Sequence, residues 1–213
     1  MATGAPVSRP ARRRPGRPRG QDSAVVRDRA VDAAIDLIAR QGYAATSMAQ
    51  VADAAGISPS GIAHHFRSKA ALLGAVLAHR DALYTVPLSE DEGRPWHAFD
   101  ALVDLARQNM QRRQLVLLYT SMVGEAVTAE HPAHDWMRNH YDCALDVLLR
   151  DLRNGQRSGH VRADAPAETI ARSVVALMDG LQVQWLLEPE FDMAAALATH
   201  VEGLKRTWGT EPR

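Results

Sequence analysis

Residues 46–72, TSMAQVADAAGISPSGIAHHFRSKAAL, constrain the fold of this chain more than any other stretch. Thr46 or Ser47 is placed to cap a first helix, because a hydroxyl accepts from amide groups left open at a helix start. Met48, Val51, Ala52 and Ala55 follow at helical spacing. Gly56 ends that helix, since the left-handed conformation is cheap only for glycine. Ser58 caps again, and Pro59 suits the first helical position, where a missing amide proton costs nothing. Ile62 and Phe66 keep a four-residue apolar rhythm, and Ser68 opens a further helix. Two short helices joined by a glycine turn form a helix-turn-helix, although an ordinary helical hairpin gives the same pattern.

Three features favour a nucleic-acid-binding unit. The second helix, Pro59 to His65, is small on its outer face, with Ser60, Gly61 and Ala63, so its backbone can approach a groove wall. His64 and His65 carry ring nitrogens that can donate to bases or phosphates. Lys69 stands at a helix start, against the helix dipole, which predicts an anionic partner such as phosphate. From these positions, Ser60 and His64 are assigned to base edges and Pro59 to a thymine methyl. Thr46, Ser47, His65 and Lys69 are assigned to phosphates, with Ser58 and Gly61 in the same surface.

The run also resembles the N-terminal DNA-binding domain of TetR-type transcriptional regulators. Gly42-Tyr43, Thr46-Ser47, Ala55-Gly56-Ile57-Ser58, Phe66, Ser68-Lys69 and Leu72 agree with that family's pattern in register. The chain departs where the family often has Gly-Thr-Leu-Tyr-x-Tyr; here stand Ser60, Gly61, Ile62, Ala63, His64 and His65. That change bears on operator sequence rather than on fold. The resemblance implies a homodimer, a roughly palindromic double-stranded DNA operator, a C-terminal cavity for a small-molecule effector, and most often repression.

Formal net charge is zero over 213 residues, yet the charge is segregated. Residues 1–20 hold six arginines and no acid, residues 21–85 are balanced, and residues 86–213 hold thirteen basic and nineteen acidic groups. A basic end with an acidic body directs DNA contact to the N-terminal part. Residues 1–21 read as a disordered basic arm, in which Arg14-Pro15-Gly16-Arg17-Pro18-Arg19 resembles a minor-groove hook. Arg17 and Arg19 are its candidate DNA contacts, and a generic phosphate-seeking arm is the alternative. Residues 22–85 then form the DNA-binding domain with its linking helix, and residues 86–213 a regulatory and dimerisation domain.

The remainder is helical throughout, so the fold class is all-α. Helices are predicted over 23–40, from Lys69 with Leu83 on its inner face, and over 96–111, 114–127, 132–157, 166–187 and 191–208. Asn154-Gly155 marks the end of the longest. The last two helices carry wide apolar faces, and Leu177, Leu181, Leu197, Val201 and Leu204 are candidates for a dimer interface or for intrachain core. Phe99, Met110, Tyr119, Met122, Trp136, His140, Met178, Gln182 and Trp185 are candidates for a ligand cavity or, again, for core.

The single cysteine, Cys143, has apolar flanks and reads as a buried small hydrophobe, consistent with a reducing cytoplasm. No apolar run reaches membrane-spanning length. His131 and His134 lie three apart but lack a third clear metal ligand. Catalytic and cofactor-binding motifs are absent, so neither an enzyme nor a cofactor is expected. The alternative to a ligand-responsive regulator is an architectural DNA binder that uses the arginine-rich arm.

Overall fold

The computed structural model describes residues 19–83 and 94–210, with the side chains of residues 19–22 left aside. The described residues form nine helices: α1 (Arg19–Ala45), α2 (Met48–Ala55), α3 (Pro59–His65), α4 (Lys69–Leu83), α5 (His97–Asn109), α6 (Arg113–Glu125), α7 (His134–Ser158), α8 (Ala167–Leu187) and α9 (Met193–Trp208). The all-α expectation holds for these residues. Arg17 lies outside them, as does nearly all of the arm.

Gly42 interrupts α1 as expected: its φ of 80° and ψ of 164° break the helix before Tyr43. Ser47 rather than Thr46 caps α2. Its hydroxyl accepts from the Gln50 amide at 3.2 Å, and Gln50 Oε1 accepts from the Ser47 amide at 2.8 Å, forming a capping box. Gly56, at φ 63°, closes α2, and the Ile57 amide returns to the Ala52 carbonyl at 2.9 Å. Arg29 of α1 donates to the Ala55 carbonyl, satisfying a further open group at that helix end. Ser58 caps α3 by accepting from the Gly61 amide at 3.0 Å.

One apolar core joins α1–α4 to α6 and α7. Val31, Ile35, Ile38, Val51, Ile62, Phe66, Leu72 and Val76 pack with Leu115, Leu118 and Met122 of α6. A second core, around Phe99, Val174, Met178, Trp185 and Leu197, unites α5, α8 and α9. α1 therefore lies on α6, which in turn lies on α8.

Three local expectations are corrected. α7 ends at Ser158, one residue past the predicted bound of 157, but the residue that ends it is Gly159 at φ 77°, not Asn154-Gly155. Gly155 is buried inside α7 and packs against Val161, where an added Cβ would come within 2.5 Å of Val161 Cγ2. Leu83 is 40% exposed rather than internal. Cys143 is exposed rather than buried, and it borders a cavity between the helices.

Candidate DNA interface and ligand cavity

α3 turns one buried side chain, Ile62, toward the core, and Phe66 plugs the domain immediately after it. The opposite face carries Pro59, Ser60, Ala63 and His64 to solvent, with Gly61 and His65 half-buried. Ser58 is exposed, and its hydroxyl lies 3.0 Å from that of Ser60, so the two share a proton. Small groups and hydrogen-bonding side chains thus line an exposed face that matches a groove-entering helix.

Two sequence-assigned phosphate contacts have other partners. Thr46 is 3% exposed, and its hydroxyl donates to the Gly42 carbonyl at 2.8 Å across the kink, so it braces the chain from inside. Lys69 donates from Nζ to the Ala44 carbonyl at 3.1 Å and rests over the Tyr43 ring at 4.2 Å. Its place at a helix start is explained by these intrachain acceptors without a bound anion.

The kink is also held from the C-terminal helices, an arrangement that sequence spacing did not reveal. At the end of α6, Glu125 Oε1 accepts from the Tyr43 amide at 3.0 Å and Oε2 from the Ala44 amide at 3.3 Å. His131 meets the Tyr43 ring edge-on at 5.0 Å, and its Nε2 lies 3.7 Å from Glu125 Oε2. His134 Nδ1 lies 2.9 Å from the Ala126 carbonyl. A Cβ on Gly42 would fall 2.6 Å from Glu125 Oε1, so glycine is required by space as well as by backbone angle.

A cavity of about 360 Å³ opens between α4, α5, α6, α7 and α8. Four of the nine residues assigned to it line its wall: Tyr119, His140, Met178 and Gln182. Phe99, Met122 and Trp185 are sealed in the cores instead, and Met110 faces a separate depression beside α9. Trp136 stands behind His140, with the two rings stacked at 5.4 Å. Arg80, Asn109 and Asp179 line the cavity but were not singled out from the sequence. Asp179 accepts from the Tyr119 hydroxyl at 3.2 Å and from the Tyr141 hydroxyl at 2.6 Å.

Burial dominates the ionisation of this cluster. It raises the Asp179 carboxyl despite the two tyrosine donors, raises the Tyr119 hydroxyl, and pushes the Tyr141 hydroxyl up to about 12. Burial, reinforced by the charge of Arg80, lowers the His140 imidazole to about 4. The Arg80 guanidinium lies over Tyr119 at 4.6 Å and Trp136 at 5.3 Å, and it donates to Asp81 at 3.3 Å.

The interface candidates divide between the two readings. Leu181, Leu197 and Val201 are 5%, 0% and 1% exposed and belong to the chain's own core, because their helix faces turn inward. Leu177 and Leu204 are half-buried. The outward faces instead carry Ser173, Ala176, Val183 and Leu187 on α8 and Thr199, His200 and Thr207 on α9. No described helix is long and apolar enough to cross a membrane.

A capped helix-turn-helix built onto a helical body with a cavity defines a DNA-binding regulator of the helix-turn-helix class. Residues 30–76 match "Bacterial regulatory proteins, tetR family", and residues 97–209 match "BetI-type transcriptional repressor, C-terminal", which alone spans more than half of the chain. The chain belongs to the TetR family of transcriptional regulators. It is similar to the regulator BetI of Rhizobium meliloti, with 30% identity over 74% of this chain and 76% of that protein. Similarity also extends to TtgR of Pseudomonas putida, 28% identical over 80% of this chain and 84% of that one. Among solved structures, the SmeT–triclosan complex shares the fold with a TM-score of 0.71 at 19% identity, covering 87% of this chain and 92% of that one. These relatives are transcriptional regulators, not enzymes.

Proposed function

We propose that the protein is a homodimeric repressor that binds a palindromic operator and is released by a small molecule. α3 enters the major groove, where Ser60 and His64 meet base edges and Pro59 meets a thymine methyl. Ser47, Ser58, Gly61 and His65 flank that face and approach the phosphates. Thr46 and Lys69 act indirectly, by fixing the kink that positions α2. Residues 22–85 form the reading domain and 86–213 the regulatory domain, and the arm, with Arg17 and Arg19, adds sequence-independent attraction. Operation on the chromosome puts the protein in the cytoplasm.

The observation that carries this reading is the span of α6. Tyr119 stands in the cavity wall, and Glu125, on the same helix, holds the amides of Tyr43 and Ala44. A ligand that shifts α6 therefore moves the entrance to the helix-turn-helix. It acts only through its different affinity for the two states.

Dimerisation through the outward faces of α8 and α9 is supported by their small residues and by Gly180, where an added Cβ meets nothing within 4 Å in its own chain. Selection of binding sites from random duplexes, with sedimentation of the complexes, tests the whole. Palindromic sites bound by two chains are expected, with half-sites about one helical turn apart or a multiple of it. Gly180→Arg should give monomers that have lost the operator. Monomeric binding by the unaltered protein, or binding indifferent to base order, overturns the proposal. The architectural alternative rests on the six arginines of residues 1–20. It predicts that deleting them abolishes binding, whereas a regulator keeps a weaker, sequence-specific complex.

A further inference from the structure

We infer that the cavity takes an organic cation bearing N–H groups, a protonated primary or secondary amine on an apolar body. The inference deepens the proposal of a small-molecule effector and rests on it. Leu102, Leu105, Val147, Val175 and Met178 supply apolar wall, suited to a hydrocarbon or aromatic body. Against this wall stand two unfilled acceptors. Asn109 is 5% exposed, and its Oδ1 has no hydrogen-bond partner among the described residues. Asp179 receives one tyrosine hydroxyl on each oxygen, while a carboxylate accepts about four hydrogen bonds.

Charge balance selects the sign of the ligand. Asp179 is hydrogen-bonded by two neutral hydroxyls, and the charge of Arg80 also reaches it and favours its carboxylate. Arg80 shares the cavity, but its guanidinium is spread over two aromatic faces and bonded to Asp81, whose other oxygen takes the Trp136 indole N–H at 2.8 Å. The imidazole of His140 is neutral near pH 7 and adds no opposing charge. Asp81 and Asp179 thus share the single charge of Arg80, so a ligand cation near Asp179 balances the second carboxylate and a ligand carboxylate would face repulsion there. The N–H groups follow from the acceptors: a quaternary ammonium presents only C–H and leaves both Asn109 Oδ1 and the spare carboxylate positions unfilled.

Calorimetric titration of the full-length protein with three probes of one phenylalkyl body tests the inference. The probes are phenylbutylamine, its N,N,N-trimethyl counterpart and phenylpentanoate. The amine should bind, the quaternary compound about tenfold more weakly or worse, and the carboxylate not at all. Asp179→Asn should weaken the amine about 30-fold or more, and Asn109→Leu about fivefold, with less effect on the quaternary probe. Thermal melting of each variant without probe establishes folding, and Asn109→Leu serves if Asp179→Asn does not fold. Equal binding of amine and quaternary probe, tighter binding of the carboxylate, undiminished amine binding by folded Asp179→Asn, or binding of none of the three each overturns the inference. DNA binding in the same samples separates the two levels. Operator release by the carboxylate alone spares the regulator and sinks the amine, whereas Asp179-dependent amine binding without sequence-specific DNA binding does the reverse.

Discussion

The α2–α3 unit and the cavity beneath it are stabilised on different length scales. In the first, Ser47 bonds Gln50, Ser58 bonds Gly61, and Gly56 turns the chain between them, all within a few residues. In the second, Asp179 of α8 meets Tyr119 of α6 and Tyr141 of α7, 60 and 38 residues away. The first unit satisfies most of its polar groups locally, with the Ala55 carbonyl met by Arg29 of α1, and leaves its outer face exposed. The second leaves a buried carboxylate and an amide oxygen short of partners, a cost that binding can recover. The difference separates a surface whose polar groups are already met from an interior that keeps polar demand open.

The largest expected effect would break the view that α2–α3 is purely local. Phe66 is 4% exposed, packs in the core shared by α1 and α4, and lies beneath the Arg27 guanidinium at 5.6 Å. Phe66→Ala should cost about 3–5 kcal/mol in chemical denaturation, because the site cannot collapse around the lost ring. A loss under about 1 kcal/mol would mean that the helix pair holds itself without its long-range anchor.

The same contrast governs what the sequence revealed. Ser47, Gly56, Ser58 and Pro59 act through neighbours in the chain, so their roles are visible from spacing alone. Thr46 is adjacent to Ser47 and chemically similar, yet only the carbonyl of Gly42 across the kink determines that it turns inward. Asn154-Gly155 resembles a helix stop, and the demand for a bare Cα beside Val161 arises from a packing partner beyond the helix. Aromatic and methionine side chains at helical spacing do not separate wall from core: Phe99 and Met122 have no exposed surface, while Tyr119 and Met178 border the cavity. The available signal was charge on an inner face. Arg80 continues the buried stripe of Leu72, Leu73, Val76 and Leu77, and Asp179 follows directly on the buried Met178 in α8.

A second, smaller effect sharpens the account of the cavity. Folded His140 titrates at about 4, against 6.5 for an unperturbed histidine. Between those values the unfolded chain binds the extra proton, so acidification favours unfolding and stability rises with pH through the window. Acidifying from pH 7 to 5 should remove about 2 kcal/mol through this residue. In His140→Phe, which keeps a ring to stack on Trp136, that part of the loss should vanish when urea midpoints are compared across pH. Asp179 has the opposite sign: its raised carboxyl costs stability as pH rises through the carboxylate range. An unchanged pH profile in His140→Phe would show that the imidazole is not desolvated.

The reading helix should be nearly silent in stability where it faces DNA. Ser58→Ala removes the cap from the Gly61 amide and should cost about 1 kcal/mol, with weaker binding to every duplex because α3 frays. His64→Ala removes an exposed ring that meets the edge of His65 at 5.3 Å. Its unfolding free energy should change by less than about 0.5 kcal/mol. Its base preference, read by competition among single-base variants of the selected site, should relax at one position in each half-site. Weakening that is equal across all variants would move His64 from the bases to the phosphates, and an unaltered profile would remove it from the interface.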